Sequence, residues 1–109
     1  MLSIAIGADS AAIDLKNTIT DYLQQKGLTV TDYSYDPTGE NPIYPDVAYT
    51  LAHAIKDGKH QRGILLCGTG IGMSIVANKV NGIRAAQCHD TYSAQRARKS
   101  NDAQVIALG

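Results

Sequence analysis

The sequence predicts an α/β fold, with an open parallel five-stranded sheet in a three-layer αβα, Rossmann-like arrangement, as a single domain over residues 1–109. Three observations predict it. Short apolar runs alternate with segments of helical period in the order βαβαβαβαβ, and such alternation gives parallel strands with helices on both faces. Phe and Trp are absent, so Ile, Leu, Val and Ala with some Tyr must fill the core, which suits a sheet covered on both sides. A glycine-rich turn, Cys67-Gly68-Thr69-Gly70-Ile71-Gly72, leads from an apolar run into a helix, at the rim where such sheets bind ligands.

The elements follow in order. Residues 2–7 (LSIAIG) form a strand at the start, and Ala8-Asp9-Ser10 turn the chain. Residues 11–26 place Ile13, Leu15, Ile19, Tyr22 and Leu23 at helical spacing, and Gly27 ends the helix. Residues 28–33 alternate as a second strand, and residues 36–45 (DPTGENPIYP) are a loop by composition. Residues 45–56 form a helix with Val47, Leu51, Ala54 and Ile55 on one face, followed by a turn at 58–61. Residues 63–66 are the buried strand before Cys67, and the helix after Gly72 runs towards Lys79. Residues 83–87 are a fourth strand, Thr91–Lys99 a fourth helix and Val105–Leu108 a fifth strand. The sequence ends at Gly109 without the usual C-terminal helix, so one flank of the fifth strand is expected to be poorly covered unless a partner chain covers it.

Ten acidic and ten basic residues are mixed along the chain, which argues against a nucleic-acid surface or a polybasic membrane patch. No apolar run reaches transmembrane length, and no basic-then-apolar signal-peptide pattern is read, so neither a membrane span nor a leader is expected. Two cysteines, Cys67 and Cys88, make no disulfide framework and fit a cytoplasmic protein with reduced thiols.

The chemistry gathers at Cys67. Glycines between a strand and a helix let the backbone approach a ligand and aim successive N–H groups at one point, beside the positive end of the helix dipole. That is a place for an anion or an oxyanion, and it favours a reactive thiolate at its edge. The turn lacks the Lys-Ser/Thr of a P-loop, and it matches no dinucleotide fingerprint, because its strand is not the first and no acidic residue closes the next one. Asp9 fits both a helix cap and a binder of ligand hydroxyls. Tyr44, between Pro42 and Pro45, fits both a pocket wall and plain packing. His89 is the one histidine expected at the rim, with Asp90 or Thr91 capping the next helix. His53 and His60 are expected on other, solvated faces. Arg96, Arg98 and Lys99 form a basic helix face, solvated or reaching a phosphate, and Asn101 can cap that helix.

Taken together, CGTGIGMSIVANKVNGIRAA, the opening GADSAA with its following LK, YPDVA and SNDAQVIALG resemble the type B ribose-5-phosphate isomerase family, which includes the galactose-6-phosphate isomerase subunits. The resemblance covers nearly the whole chain. It implies an aldose–ketose isomerase of phosphorylated monosaccharides that works through an enediolate without metal or cofactor. By resemblance Cys67 moves the proton, and the N–H groups of Gly68, Thr69, Gly70 and Gly72 hold the oxyanion. Asp9 binds substrate hydroxyls, Tyr44 lines the pocket, and Asn101 is supplied by a second subunit of a homodimer or dimer of dimers.

Three departures bear on the substrate. Ser10 stands where the family has a phosphate-binding histidine, and Ser100 where it has the histidine that opens the sugar ring. The family's chains also continue past the position of Gly109 with an arginine, a helix and further phosphate-binding arginines, so those contacts lie outside this sequence, as in a fragment or a truncated member. A tetrulose 4-phosphate cannot close a furanose ring because its terminal oxygen is esterified, and it needs no acid–base help to open. Ser10, Ser100 and HDTYSA resemble a subgroup associated with erythrulose 4-phosphate. A competing reading has His89 replace the missing histidine and retains pentose activity. Two rival functions remain. One is a silent partner subunit of a heteromeric isomerase. The other is a phosphocysteine carrier of the sugar phosphotransferase type, against which the third-strand position of Cys67 counts.

Overall fold

The computed structural model describes residues 2–34 and 43–109. The expected loop over 36–45 lies, as far as residue 42, outside the described residues. The strands are β1 (Ser3–Ala8), β2 (Thr29–Asp32), β3 (Arg62–Leu66), β4 (Ala85–Gln87) and β5 (Val105–Leu108). The helices are α1 (Ile13–Gln25), α2 (Tyr44–Lys56), α3 (Ile71–Asn78) and α4 (Thr91–Lys99). All strand pairings are parallel, in the order β2-β1-β3-β5-β4.

Alternation along the strands divides the core into two layers. Ala5, Leu65, Val105 and Ala107 face α2 and α3, where Leu51 and Met73 are fully buried against them. The helix α2 sits close on Gly7 and Gly63, where an added Cβ would come within 2.6 Å of Val47 and of Ile55. On the opposite face Ile6, Ala8 and Leu66 pack with Ala12, Ile13 and Ile19 of the α1 region, while Ala97 of α4 packs with Cys88 and Ala103.

Several expected boundaries move, each for a local reason. A 3-10 turn, Ser10–Ala12, precedes α1, because Asp9 Oδ1 accepts the Ala11 N–H at 3.0 Å and tightens the first turn. The helix α2 begins at Tyr44, with Pro45 in its first turn where a missing N–H costs no bond, so Tyr44 stands on a helix and not in a loop. The strand β4 is shorter than residues 83–87, since the Ile83 N–H bonds back to Val80 O and the Arg84 N–H is taken by Gln104 Oε1.

One expectation is met on a face and another is corrected. β5 is interior, pairing with β3 on one side and β4 on the other, so the edges are β2 and β4 and its poorly covered flank is a face. What lies open is part of a sheet face, a groove of about 250 Å³ floored by Ile4, Ile64 and Ile106 and flanked by Arg62 and Arg98. His60 is not solvated but buried, its ring nitrogens 2.6 Å from Ser3 Oγ and 2.7 Å from Tyr33 Oη. His53 is half-buried against Tyr49. Among the described residues no helix is long and apolar enough to cross a membrane.

Candidate active site

The carboxyl ends of β1, β3 and β4 form one rim, and the chain leaves each through a residue the sequence singles out. After β3, Cys67 continues the sheet by donating its N–H to Leu108 O at 3.2 Å. Its side chain is buried in the α2–α3 layer, with 6% exposure. The backbone then turns back over the sulfur, and the Gly70 N–H donates to Cys67 Sγ at 3.1 Å. Gly70 has a φ of +77°, and a Cβ there would meet the backbone of Ala107 and Leu108 at 3.0 Å. Only glycine satisfies both the left-handed torsion and the backbone contact.

The first turn of α3 is prepared by the same loop. Thr69 Oγ1 accepts the Ile71 N–H at 3.1 Å, and Gln87 Nε2 donates to Thr69 O at 2.8 Å. Among the described residues, the N–H groups of Gly68, Thr69 and Gly72 meet no protein acceptor. Gly68 and Thr69 are exposed. Gly70 differs from the expected oxyanion donor in that its N–H is already directed at the sulfur. Tyr44 closes one side: its ring covers Gly72, where an added Cβ would lie 2.5 Å from Cε2.

The end of β1 is fixed from behind. The buried Lys16 donates to Asp32 Oδ2 at 2.6 Å, Asp32 Oδ1 accepts the Ser34 N–H, and Ser34 Oγ accepts the Ala8 N–H at 2.9 Å. Burial works against the Asp32 carboxylate, yet the hydrogen bonds from Lys16 and Ser34 hold its carboxyl below the ordinary value. Asp9 leaves this anchored end with its N–H on Leu66 O at 3.1 Å, beside Cys67, and with Ser10 exposed next to it. The anchor was not singled out from the sequence. The lysine of the LK pair, one turn into a largely apolar helix start, was its available signal.

His89 is exposed after β4, and Asp90 caps α4. The Ser93 backbone and hydroxyl, bonded to Asp90, keep its carboxyl below its ordinary value. Ser100 and Asn101 do not join this rim. They follow α4 at the opposite end of the sheet, where Arg84, just before β4, donates to Asn101 O at 2.9 Å. Among the described residues no cluster of His, Cys, Asp or Glu has the makings of a metal site.

A parallel α/β domain with a cysteine under a glycine turn, and free N–H groups at a helix start, defines a class of protein that can hold an anion beside a thiol. The chain belongs to the Ribose/Galactose Isomerase family, whose model matches residues 4–109. It is 98% identical over 109 residues to the D-erythrulose-4-phosphate isomerase of Pectobacterium atrosepticum, covering 100% of this chain and 72% of that protein. It is 50% identical over 109 residues to the ribose-5-P isomerase B of Listeria innocua, again covering 72% of the relative. The ribose-5-phosphate isomerase B of Clostridium thermocellum superposes with a TM-score of 0.92 at 45% identity, over 99% of this chain and 72% of that one.

Proposed function

We propose that this chain isomerises a tetrulose 4-phosphate, D-erythrulose 4-phosphate, to its aldose by proton transfer through an enediolate. The observation that carries the reading is the 98% identity, across the whole chain, to a protein named for that substrate. The geometry supports it. Cys67 Sγ, with the Gly70 N–H on it, takes the proton from the carbon next to the carbonyl. The electron pair moves to the carbonyl oxygen, which the N–H groups of Gly68, Thr69 and Gly72 stabilise as an enediolate. The proton of the C1 hydroxyl passes to the oxyanion on C2 as the same sulfur returns the carbon proton to C2, so the carbonyl is left on C1 and the sulfur is again free of its proton. Asp9 and Ser10 bind hydroxyls from the β1 end, and Tyr44 walls the pocket over Gly72. Free cysteines suit the work of Cys67, which needs a reducing compartment such as the cytoplasm.

Ser100 and Asn101, at the far end of the sheet, reach a Cys67 site only from another copy of the chain. The reading therefore includes a homodimer, alone or paired, in which each site takes these residues from its partner. An acyclic substrate needs no ring-opening acid, consistent with serine at position 100.

The test is solvent deuterium exchange followed by NMR, with D-erythrulose 4-phosphate, ribose 5-phosphate, allose 6-phosphate and galactose 6-phosphate. Exchange at C1 and C2 with the tetrulose alone is the expected result. Exchange with ribose 5-phosphate overturns the acyclic assignment and directs attention to His89. No exchange with any sugar by the folded protein overturns the isomerase reading for this chain.

A further inference from the structure

One peptide plane in the glycine turn aims a donor at the catalytic sulfur, and a residue outside the turn holds that plane. Its N–H belongs to Gly70 and donates to Cys67 Sγ at 3.1 Å. Its C=O belongs to Thr69 and accepts from Gln87 Nε2 at 2.8 Å. The peptide is trans, so its C=O and N–H point in opposite directions and a bond to one end orients the other. Glycine gives the plane freedom to turn, because no Cβ resists the rotation. Gln87 resists it from the end of β4. It is paired there with Ala107 of β5, the strand on whose backbone Gly70 rests.

We propose that Gln87 is a positioning residue for Cys67: by holding the Thr69 carbonyl it keeps the Gly70 N–H on the sulfur. The inference rests on the reading of Cys67 as the group that moves the proton. An N–H donor stabilises a thiolate more than a thiol, so losing the Gln87 hold lowers the reactivity of Cys67 without touching any substrate contact. Among the described residues, the other titratable groups at this rim are Asp9 after β1, the paired Lys16 and Asp32 behind it, Tyr44 and Asp46 in the first turn of α2, and Cys88, His89 and Asp90 after β4. The segments α3 and β5 carry no charged residue. None of these groups changes in the test.

The test compares Gln87→Leu and Gln87→Glu with the parent chain. Alkylation by iodoacetamide at neutral pH is followed by peptide mass mapping, with the buried Cys88 as internal reference. It needs no turnover. The Cys67 rate is expected to fall roughly three- to tenfold in Gln87→Leu, the equivalent of one net hydrogen bond. The fall is larger in Gln87→Glu, whose carboxylate faces a carbonyl oxygen and cannot donate. The Cys88 rate stays unchanged. For D-erythrulose 4-phosphate, kcat falls by a similar factor while KM stays within about twofold. A merely structural role predicts the opposite sign, since loosening the rim exposes both cysteines and speeds both. That outcome, or an unchanged Cys67 rate in both variants, overturns the proposal. Full isomerisation by Cys67→Ser, with slowed alkylation in Gln87→Leu, overturns the catalytic role of Cys67 and leaves the positioning by Gln87 standing.

Discussion

The two rims of this sheet solve opposite problems with opposite materials. Around Cys67 at the carboxyl rim the polar groups are mostly backbone N–H, presented by the glycine turn, and several meet no protein acceptor among the described residues. At the amino rim the polar groups are side chains, and they satisfy one another. His60 lies between Ser3 and Tyr33 with both ring nitrogens in hydrogen bonds, and its ring stands edge-on to Tyr33 at 5.5 Å. A rim that binds must keep donors free, whereas a rim that stabilises must leave none. The contrast explains why the exposed His89 is a candidate for chemistry while the buried, hydrogen-bonded His60 is not.

The sharpest way to break that comparison is to damage one rim and read the other property. Cys67→Ser replaces the sulfur with a nearly isosteric hydroxyl that is a much weaker base. Isomerisation is expected to fall by about 10²–10⁴-fold, the scale of a lost acid–base group. The urea midpoint should hardly move. A variant of near-parental activity would remove Cys67 from the mechanism. Gly70→Ala damages the same rim through the backbone. The methyl group must enter at φ +77° and within 3.0 Å of Ala107 backbone atoms, which no side-chain movement relieves. Strain of this kind costs about 1–3 kcal/mol. The substitution should therefore lower both stability and rate, and an unchanged denaturation curve would contradict the backbone contact.

At the other rim, His60→Leu removes a partner from both hydroxyls at once. Leaving a buried polar group without a partner costs about 1–3 kcal/mol, and these half-buried hydroxyls, which water can reach in part, lose less than that each. The denaturation midpoint is expected to drop while kcat of the folded fraction stays near the parent's. A selective loss of kcat with unchanged stability would assign His60 to chemistry and erase the distinction between the rims.

The same contrast governs how much could be read from the sequence. The strands and helices were legible because parallel strands are continuous apolar runs and the helices keep their period, as in residues 63–66 and the face of Val47, Leu51 and Ile55. Cys67 and its glycines were legible because a binding rim is written locally, in consecutive residues. The histidine network was not, since His60 finds its partners 57 and 27 positions away. Nor was the interior place of β5, because strand order depends on crossovers that leave no local pattern. Gln87 had no signal of its own: a glutamine closing a strand reads as solvated until the fold brings the Thr69 carbonyl to it, 18 positions back.

The smallest effect is the most discriminating, because it separates the two anchors by pH. Burial, with the charge of Lys59 nearby, holds the His60 imidazole below its ordinary value of 6.5. The unfolded chain therefore takes up the proton first as pH falls. The stability that neutral His60 contributes is fully present above 6.5 and is lost as pH falls below it towards the lower folded value. Asp32 behaves alike in a different window. Its carboxyl lies below the ordinary 3.8, so its contribution is present above that value and disappears only in stronger acid. Urea midpoints taken from neutral pH down to pH 5 should decline gently in the parent chain. They should lose that slope in His60→Gln, which keeps an amide between the two hydroxyls but cannot titrate. In Asp32→Asn the slope should persist, since its source is His60. A parent midpoint that rises on acidification would mean that the network between Ser3 and Tyr33 prefers the charged ring, and that this rim is not the neutral anchor its burial makes it.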